Sequence, residues 1–267
     1  MNRLLVALSV CGLSGSALAG DPTAGPDYFT PPDTLEREIQ FNADDGVIVS
    51  GTLMLPRSAD AQAPAQRFPV VVLLHPVILD RDAMGELAYQ LVREGVGAVL
   101  LDVRGHGKSR QMADGRHLYA FPLIPWTDFH KTLGDLRRLI EVLGKDTGVD
   151  MRRIGVAGAG EGALMAAETA ARIPDFRLLV MIDPTEPAAG FDPSRDLSTL
   201  GARPALLVAS AFAPSREKIN ALAEYGSGER RLVLDDAYAK TSRLLTPGAK
   251  ATVETARWCA QKLAATR

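Results

Sequence analysis

The sequence predicts an α/β protein with a mainly parallel sheet covered by helices on both faces. Short, continuous apolar runs recur along the chain, as in strands that are buried on both faces. They alternate with amphipathic segments of helical period, which favours a parallel sheet. An antiparallel hairpin precedes them, because Glu36–Phe41 and Val47–Leu55 alternate polar and apolar residues on either side of a turn-rich loop at 42–46.

The remaining elements follow in chain order. The predicted parallel strands are Val70–Leu74, Ala98–Leu101, Ile154–Ala157, Leu178–Ile182, Ala205–Ala209 and Leu232–Leu234. The predicted helices are Ala83–Glu94, Asp128–Leu143, Ala163–Arg172, Ser215–Tyr225 and Lys250–Ala264. A modest insertion, Arg110–Pro125, offers a place for a cap element. The length suits one such domain with a substantial core.

The first residues have the pattern of an export signal. A short positive start precedes an apolar run at 4–18, and Ala17-Leu18-Ala19 supplies an A-x-A cleavage signal. We therefore predict a Sec signal peptide at 1–19, a flexible lead at 20–34 and a single domain at 35–267, in a periplasmic or secreted protein. A lipoprotein is less favoured, because Val10 rather than a small residue precedes Cys11. No membrane span is predicted in the mature chain, since the apolar run is shorter than the ~18 residues that a spanning helix needs.

Composition excludes several classes of partner. The 30 Lys+Arg and 32 Asp+Glu give a net charge of −2, which provides no basic surface for nucleic acid or anionic lipid. His117 and His130 lack the spacing of metal ligands, and neither a metal nor another cofactor is predicted. The partners left open are a small-molecule ligand and another periplasmic protein.

The most informative segment is 152–166, where a buried strand is expected to turn sharply into an Ala-rich helix through Gly158, Gly160 and Gly162. It resembles the nucleophile elbow of α/β-hydrolases, which carries Gly-x-Ser-x-Gly. Dienelactone-hydrolase-like and serine-aminopeptidase-like members are the most similar. The segment 97–109 resembles their Asp-x-Arg-Gly-His-Gly-x-Ser turn, and 68–75 and 203–210 resemble the strands before the oxyanion loop and the catalytic acid. The resemblance implies the α/β-hydrolase fold over roughly Ile39 to Leu263.

The same resemblance implies a degenerate catalytic triad. The nucleophile position falls on Gly160, the acid position on Ala213 before a proline, and the histidine position on Lys240. Glycine can adopt the strained turn but has no side chain to attack a carbonyl. Whatever the placement, no histidine follows His130, whereas the histidine of the family's triad comes last along the chain. No catalytic residue is therefore expected.

The oxyanion loop also departs from the family pattern, because Pro76 follows His75 and proline has no N–H to donate. The N–H groups of Val77 and Glu161 still provide a candidate pocket for a ligand carbonyl or carboxylate. We expect the Glu161 carboxylate to point outward, complementing the dipole of its helix. His75, like His106, is expected to order its loop.

Two further polar residues complete the candidate site. Asp183 follows a strand at the edge where ligands bind in open α/β sheets, although capping or bracketing the turn before Pro184 is the more ordinary role. Lys240 is a candidate base, and an ion pair is its more ordinary role. The predicted ligand-binding residues are His75, Val77, Glu161, Asp183 and Lys240.

The preferred hypothesis is an exported pseudo-hydrolase that binds a small molecule or an envelope partner. The first alternative is an ester or acyl hydrolase, or a lyase, that uses the non-standard residues Lys240, Asp183 and Glu161. A purely structural envelope protein with a filled pocket is the other alternative.

Overall fold

The structure is a computed structural model, and it describes residues 32–57, 66–188, 190–212, 214–236 and 241–266. The predicted signal peptide and the degenerate positions Ala213 and Lys240 lie outside these residues. Of the predicted lead, 32–34 are described, and the first strand already begins at Thr34.

One mixed sheet organises the described chain. Its strands are β1 (Thr34–Asn42), β2 (Val47–Pro56), β3 (Phe68–Leu74), β4 (Gly97–Leu101), β5 (Gln111–Met112), β6 (Val149–Ala159), β7 (Phe176–Ile182), β8 (Ala205–Ser210) and β9 (Arg230–Asp235). The order is β1-β2-β4-β3-β6-β7-β8-β9, with the short β5 paired to β2. β1 and β2 form the predicted antiparallel hairpin, β2 pairs antiparallel with β4, and β4, β3, β6, β7, β8 and β9 pair in parallel.

Helices cover both faces of this sheet. They are α1 (Gly85–Arg93), α2 (Thr132–Leu143), α3 (Glu161–Arg172), α4 (Pro193–Leu200), α5 (Ser215–Ala223), α6 (Thr241–Leu244) and α7 (Lys250–Ala264), with 3₁₀ helices at Arg81–Met84 and Trp126–Lys131. No helix in the described part of the chain is long and apolar enough to cross a membrane.

Strand β3 shows why the apolar runs are continuous. Val70, Val72 and Leu74 pack into one buried apolar cluster, and the alternate residues Val71 and Leu73 pack into a second one. A strand whose two faces are both buried cannot carry the polar alternation of a half-exposed strand. The predicted fold class is therefore confirmed, and the carboxyl ends of β3, β6, β7, β8 and β9 meet at one edge, where ligand sites of such sheets lie.

Two short helices, α4 and α6, were not predicted. Helix α4 begins after Asp192, whose side chain accepts a hydrogen bond from the N–H of Arg195 at 3.0 Å, and Pro193 is its first residue. Both are ordinary helix-start signals. Helix α4 was missed because its eight residues give too little apolar periodicity to indicate a helix, and α6 has only four residues.

Candidate functional site

The elbow between β6 and α3 has the geometry that the sequence resemblance implies. Gly160 joins the two elements with φ 58° and ψ −123°, a region that side chains rarely adopt. A Cβ atom on Gly158 would overlap the backbone of Gly162, and one on Gly162 would overlap the backbone of Leu74 and His75. Strand and helix therefore approach so closely that glycine is required on either side of the turn. Gly160, to which the sequence resemblance assigns the nucleophile position, has no side chain.

Pro76 covers the space above Gly160. A Cβ atom built on Gly160 would lie 3.3 Å from the Cβ of Pro76, which is tighter than ordinary van der Waals contact. Gly160 is itself buried, and its N–H donates to the carbonyl of Ile182 at 2.9 Å. This covering role of Pro76 was not predicted, since the sequence indicated only that the residue lacks an N–H.

The Glu161 carboxylate does not point outward, and this expectation was wrong. The backbone N–H of Val77 donates to Glu161 Oε2 at 3.3 Å, so the carboxylate turns towards the oxyanion loop. This position still lies in the first turn of α3, where the helix dipole stabilises a negative charge. It also gives the Val77 N–H an acceptor. The side chain of Glu161 thus occupies a donor that the sequence assigned to a ligand.

His75 orders the loop through both of its ring nitrogens. Val103 N–H donates to Nε2 at 3.0 Å, which places the ring proton on Nδ1, and Nδ1–H donates to the carbonyl of Pro76 at 2.8 Å. Burial lowers the pKa of His75 to about 4, so the ring is neutral near pH 7. These contacts agree with the expected loop-ordering role. A direct contact of His75 with a ligand stays a prediction.

His106 connects the oxyanion loop to the turn after β4. Its ring nitrogens lie 2.6 Å from the carbonyl oxygen of Val77 and 3.1 Å from that of Arg104. The ring also stacks on Phe121, with centroids 5.8 Å apart. A histidine that faces two backbone carbonyls holds two loops together, as expected for this residue.

Arg104, in the same turn, is buried between two carboxylates. It donates to Asp135 from Nη2 at 2.6 Å and from Nε at 2.9 Å, and to Asp45 from Nη1 at 2.8 Å. Burial alone would lower the pKa of Arg104, but the hydrogen bonds that it donates to Asp135 and Asp45, and the charges of these carboxylates, outweigh burial and raise the pKa. The guanidinium therefore stays charged and ties this turn to α2 and to the β1–β2 loop.

Asp183 binds a neighbouring segment of the chain. It has a left-handed φ of 44°, and its Oδ2 accepts hydrogen bonds from the Thr241 N–H at 3.1 Å and from Oγ1 at 2.7 Å. Its carboxylate thus caps the start of α6, directly after the position of Lys240. In the structure Val77 and Glu161 are in contact. Asp183 directly follows Ile182, whose carbonyl accepts a hydrogen bond from the N–H of Gly160. The contribution of Asp183 to ligand binding stays a prediction.

A cavity of about 360 Å³ lies beside the oxyanion loop. It is lined by Val77, Ile78 and Leu79 on that loop, by Phe121 from the insertion, and by the charged residues Asp80 and Arg110. Ile78 is 71% exposed, which is high for an apolar side chain beside a cavity. Sequence analysis missed Ile78, Leu79 and Arg110. Their position just after a strand, or within the predicted cap insertion, is the signal that could have found them.

The fold and the elbow define an α/β-hydrolase-fold protein, and comparison with known proteins supports this class. The family model for serine aminopeptidase, S33, matches residues 65–260, and the chain belongs to that family. No curated protein matches the sequence.

Solved structures share the fold at low sequence identity. The α/β-hydrolase GrgF from Penicillium sp. sh18 is 13% identical, with a TM-score of 0.67 over 85% of this chain and 98% of that one. The 2,6-dihydroxy-pseudo-oxynicotine hydrolase is 16% identical, with a TM-score of 0.66 over 88% and 69% of the two chains. An acetyl xylan esterase from Paenibacillus sp. R4 is 18% identical, with a TM-score of 0.59 over 76% and 78%. At these identities the likeness concerns the fold.

Proposed function

We propose that this chain is an exported, non-catalytic member of its hydrolase family that binds a small molecule or an envelope partner. The observation that carries the proposal is Gly160, which stands at the nucleophile position of an otherwise intact elbow. A hydrolase of this fold needs a hydroxyl or thiol there and a histidine late in the chain, and no histidine follows His130.

The surroundings of Gly160 support the same proposal. Pro76 lies over the space that a nucleophile would use, and the Glu161 carboxylate accepts the Val77 N–H that would stabilise an oxyanion. A negative carboxylate at this place opposes the build-up of negative charge on a substrate oxygen. The neighbouring 360 Å³ cavity, lined by apolar residues of the oxyanion loop together with Asp80, His106 and Arg110, supports binding of a small ligand.

One specific observation favours a second candidate, an ester or acyl hydrolase or a lyase that uses non-standard residues. The Glu161 carboxylate faces the oxyanion loop rather than solvent, where it could activate a water molecule as a general base. Asp183 and Lys240 are the other residues assigned to this alternative.

The deciding experiment is initial-rate hydrolysis of short and medium acyl aryl esters by the chain lacking residues 1–19. It is run beside Glu161→Gln, Lys240→Met and a control, Glu217→Gln, which changes an exposed carboxylate on α5. A rate equal to that of buffer for all proteins supports the binding role. A saturable rate that Glu161→Gln or Lys240→Met abolishes, and that Glu217→Gln leaves unchanged, would refute it in favour of the unconventional enzyme.

A gain-of-function experiment tests the placement of the site. The triple variant Gly160→Ser, Ala213→Asp and Lys240→His rebuilds the family's residue types, and adding Glu161→Gln frees the Val77 N–H from a charged acceptor. We expect esterase activity to be higher in the quadruple variant than in the triple one. If both variants are folded by circular dichroism and inert, the assignment of the acid and histidine positions is wrong.

A further inference from the structure

The cavity beside the oxyanion loop (the loop cavity) adjoins a second cavity of about 530 Å³ (the basic cavity). Gly107 and Arg110 line both of them. Gly107 has a left-handed φ of 44°, and a Cβ atom there would overlap the Asp102 carboxylate, so glycine is favoured and no side chain divides the two spaces. The two cavities therefore form one groove along the turn after β4. The other residues of the basic cavity are Gln40, Lys108, Gln111 and His117.

The basic cavity has a cation that the protein leaves unpaired. Arg110 is exposed, and its guanidinium makes no hydrogen bond or ion pair with any residue that the structure describes. Lys108 lies 3.3 Å from Glu38, which also pairs with Arg81, so the charge of Lys108 is partly neutralised. The described residues that line this cavity include no carboxylate. Such a place favours one anionic group, because a guanidinium binds a carboxylate or phosphate through two parallel hydrogen bonds.

The loop cavity has a more apolar character. Ile78, Leu79 and Phe121 line it, and Ile78 and Leu79 are exposed although they are apolar. Apolar side chains exposed around a cavity provide a contact surface for an apolar group. Asp80 also lines the loop cavity, and its carboxylate accepts a hydrogen bond from the Asp82 N–H at 3.2 Å. Because Asp80 would repel an anion, the loop cavity suits the apolar part of a ligand and the basic cavity suits its charged end.

The two cavities together select the chemistry of the ligand. An inorganic anion would leave the apolar side chains exposed to water, and an uncharged apolar molecule would leave Arg110 unpaired. A polyanion would meet only one unpaired cation among the described lining residues. We infer, on the basis of the proposed binding role, that the groove binds an amphipathic anion. This ligand is a linear apolar chain that ends in one carboxylate or phosphate group, with the chain in the loop cavity and the anionic group beside Arg110.

Titration of the ¹⁵N-labelled chain lacking residues 1–19 tests this ligand class. Octanoate, octyl phosphate, 1-octanol and octyltrimethylammonium are added separately, and backbone amide shifts report where each one binds. Octanoate or octyl phosphate is expected to shift amides of 77–79 and of 107–111 along one saturable curve, and the tighter of the two identifies the anionic group. The uncharged and cationic compounds should bind about tenfold more weakly, because neither can pair with the Arg110 guanidinium.

Three results would overturn the amphiphile site. Neither anion shifts both sets of amides, the two sets saturate at different ligand concentrations, or 1-octanol or octyltrimethylammonium binds as tightly as the anions. Shifts confined to the elbow at 158–162 are one form of the first result, and they would leave the proposed binding role standing. That role fails by a different measurement, namely ester hydrolysis by the chain without substitutions.

Variants test the two ends of the groove separately. Arg110 has no side-chain partner in the described chain and Ile78 is largely exposed, so Arg110→Gln and Ile78→Ser should fold as the wild type does. Arg110→Gln should weaken binding of the tighter anion about tenfold and leave 1-octanol binding unchanged. Ile78→Ser should weaken binding of both compounds. The matched control Arg137→Gln changes another exposed arginine, on α2, and should leave binding unchanged. An unchanged Kd for the anion in either Arg110→Gln or Ile78→Ser would contradict the proposed site.

Discussion

Substitution of Gly160 by alanine tests the elbow on which the functional argument depends. The residue has φ 58° and ψ −123°, and a side chain held in such a sparsely populated region costs about 1–3 kcal/mol. The added Cβ would also lie 3.3 Å from the Cβ of Pro76, a contact that requires a small shift of a rigid ring. We expect Gly160→Ala to lower the free energy of unfolding by about 1–3 kcal/mol.

A matched control is available on helix α2. A Cβ atom on Gly134 would meet nothing within 4 Å, and the residue lies inside a regular helix. Gly134→Ala should therefore raise the free energy of unfolding by about 0.5–1 kcal/mol, because alanine is the better helix former. The same chemical change is thus expected to have opposite signs at the two positions.

Urea denaturation followed by circular dichroism measures both variants. The comparison is valid if the dependence of unfolding free energy on urea is the same in all proteins, because a changed slope indicates a changed denatured state. A double-mutant cycle with Gly160→Ala, Pro76→Gly and the double variant isolates the free energy of the contact between the two side chains. If Gly160→Ala is as stable as the wild type, Gly160 is not in the strained elbow conformation and the placement of the nucleophile position is wrong.

Two further predictions concern buried charges. Burial raises the pKa of Asp196 to about 6 from an ordinary 3.8, so the folded protein binds this proton more tightly and stability falls as pH rises from about 4 to 6. The effect of Asp196→Asn on the free energy of unfolding should consequently be more stabilising at pH 8 than at pH 4, by up to about 3 kcal/mol. Equal shifts of the urea midpoint at both pH values would contradict this prediction. Arg104→Met should destabilise by about 3–5 kcal/mol, because it leaves Asp135 buried without its cation. The double variant Arg104→Met and Asp135→Leu should regain much of that loss in the same assay, and no recovery would show that the ion pair is not the cause.

The sequence was sufficient to predict the architecture because the pattern of apolar residues in each strand indicates which of its faces are buried. Residues 70–74 and 154–157 are apolar without interruption, as strands covered on both faces must be, and helix α7 at Lys250–Ala264 has the predicted bounds. The position of Gly160 was equally predictable, since the flanking glycines are required by the close approach of strand and helix. Local sequence therefore determines the elbow.

Side-chain directions at the site were not predictable in the same way. The orientation of Glu161 depends on whether the Val77 N–H has another acceptor, and Val77 lies in a loop 84 positions away from this helix residue along the chain. Asp183 meets Thr241 across 58 positions for the same reason. A rule based on the helix dipole alone gave the wrong direction for Glu161, because it considers only the helix on which the residue lies.

One small space at the elbow is shared by Gly160, Pro76 and Glu161. Their effects on a hydrolytic reaction are therefore coupled. As we propose, Gly160 stands at the nucleophile position and has no side chain there. Pro76 lies against Gly160, and the Glu161 carboxylate accepts a hydrogen bond from the N–H of Val77. Restoring a serine would add an atom in contact with Pro76 while the developing oxyanion still faced a carboxylate. Single reversions should then gain nothing measurable, whereas a combination that also changes Glu161 should gain more than the sum of its parts. That non-additivity distinguishes a site adapted to another use from one that differs from its relatives at a single residue.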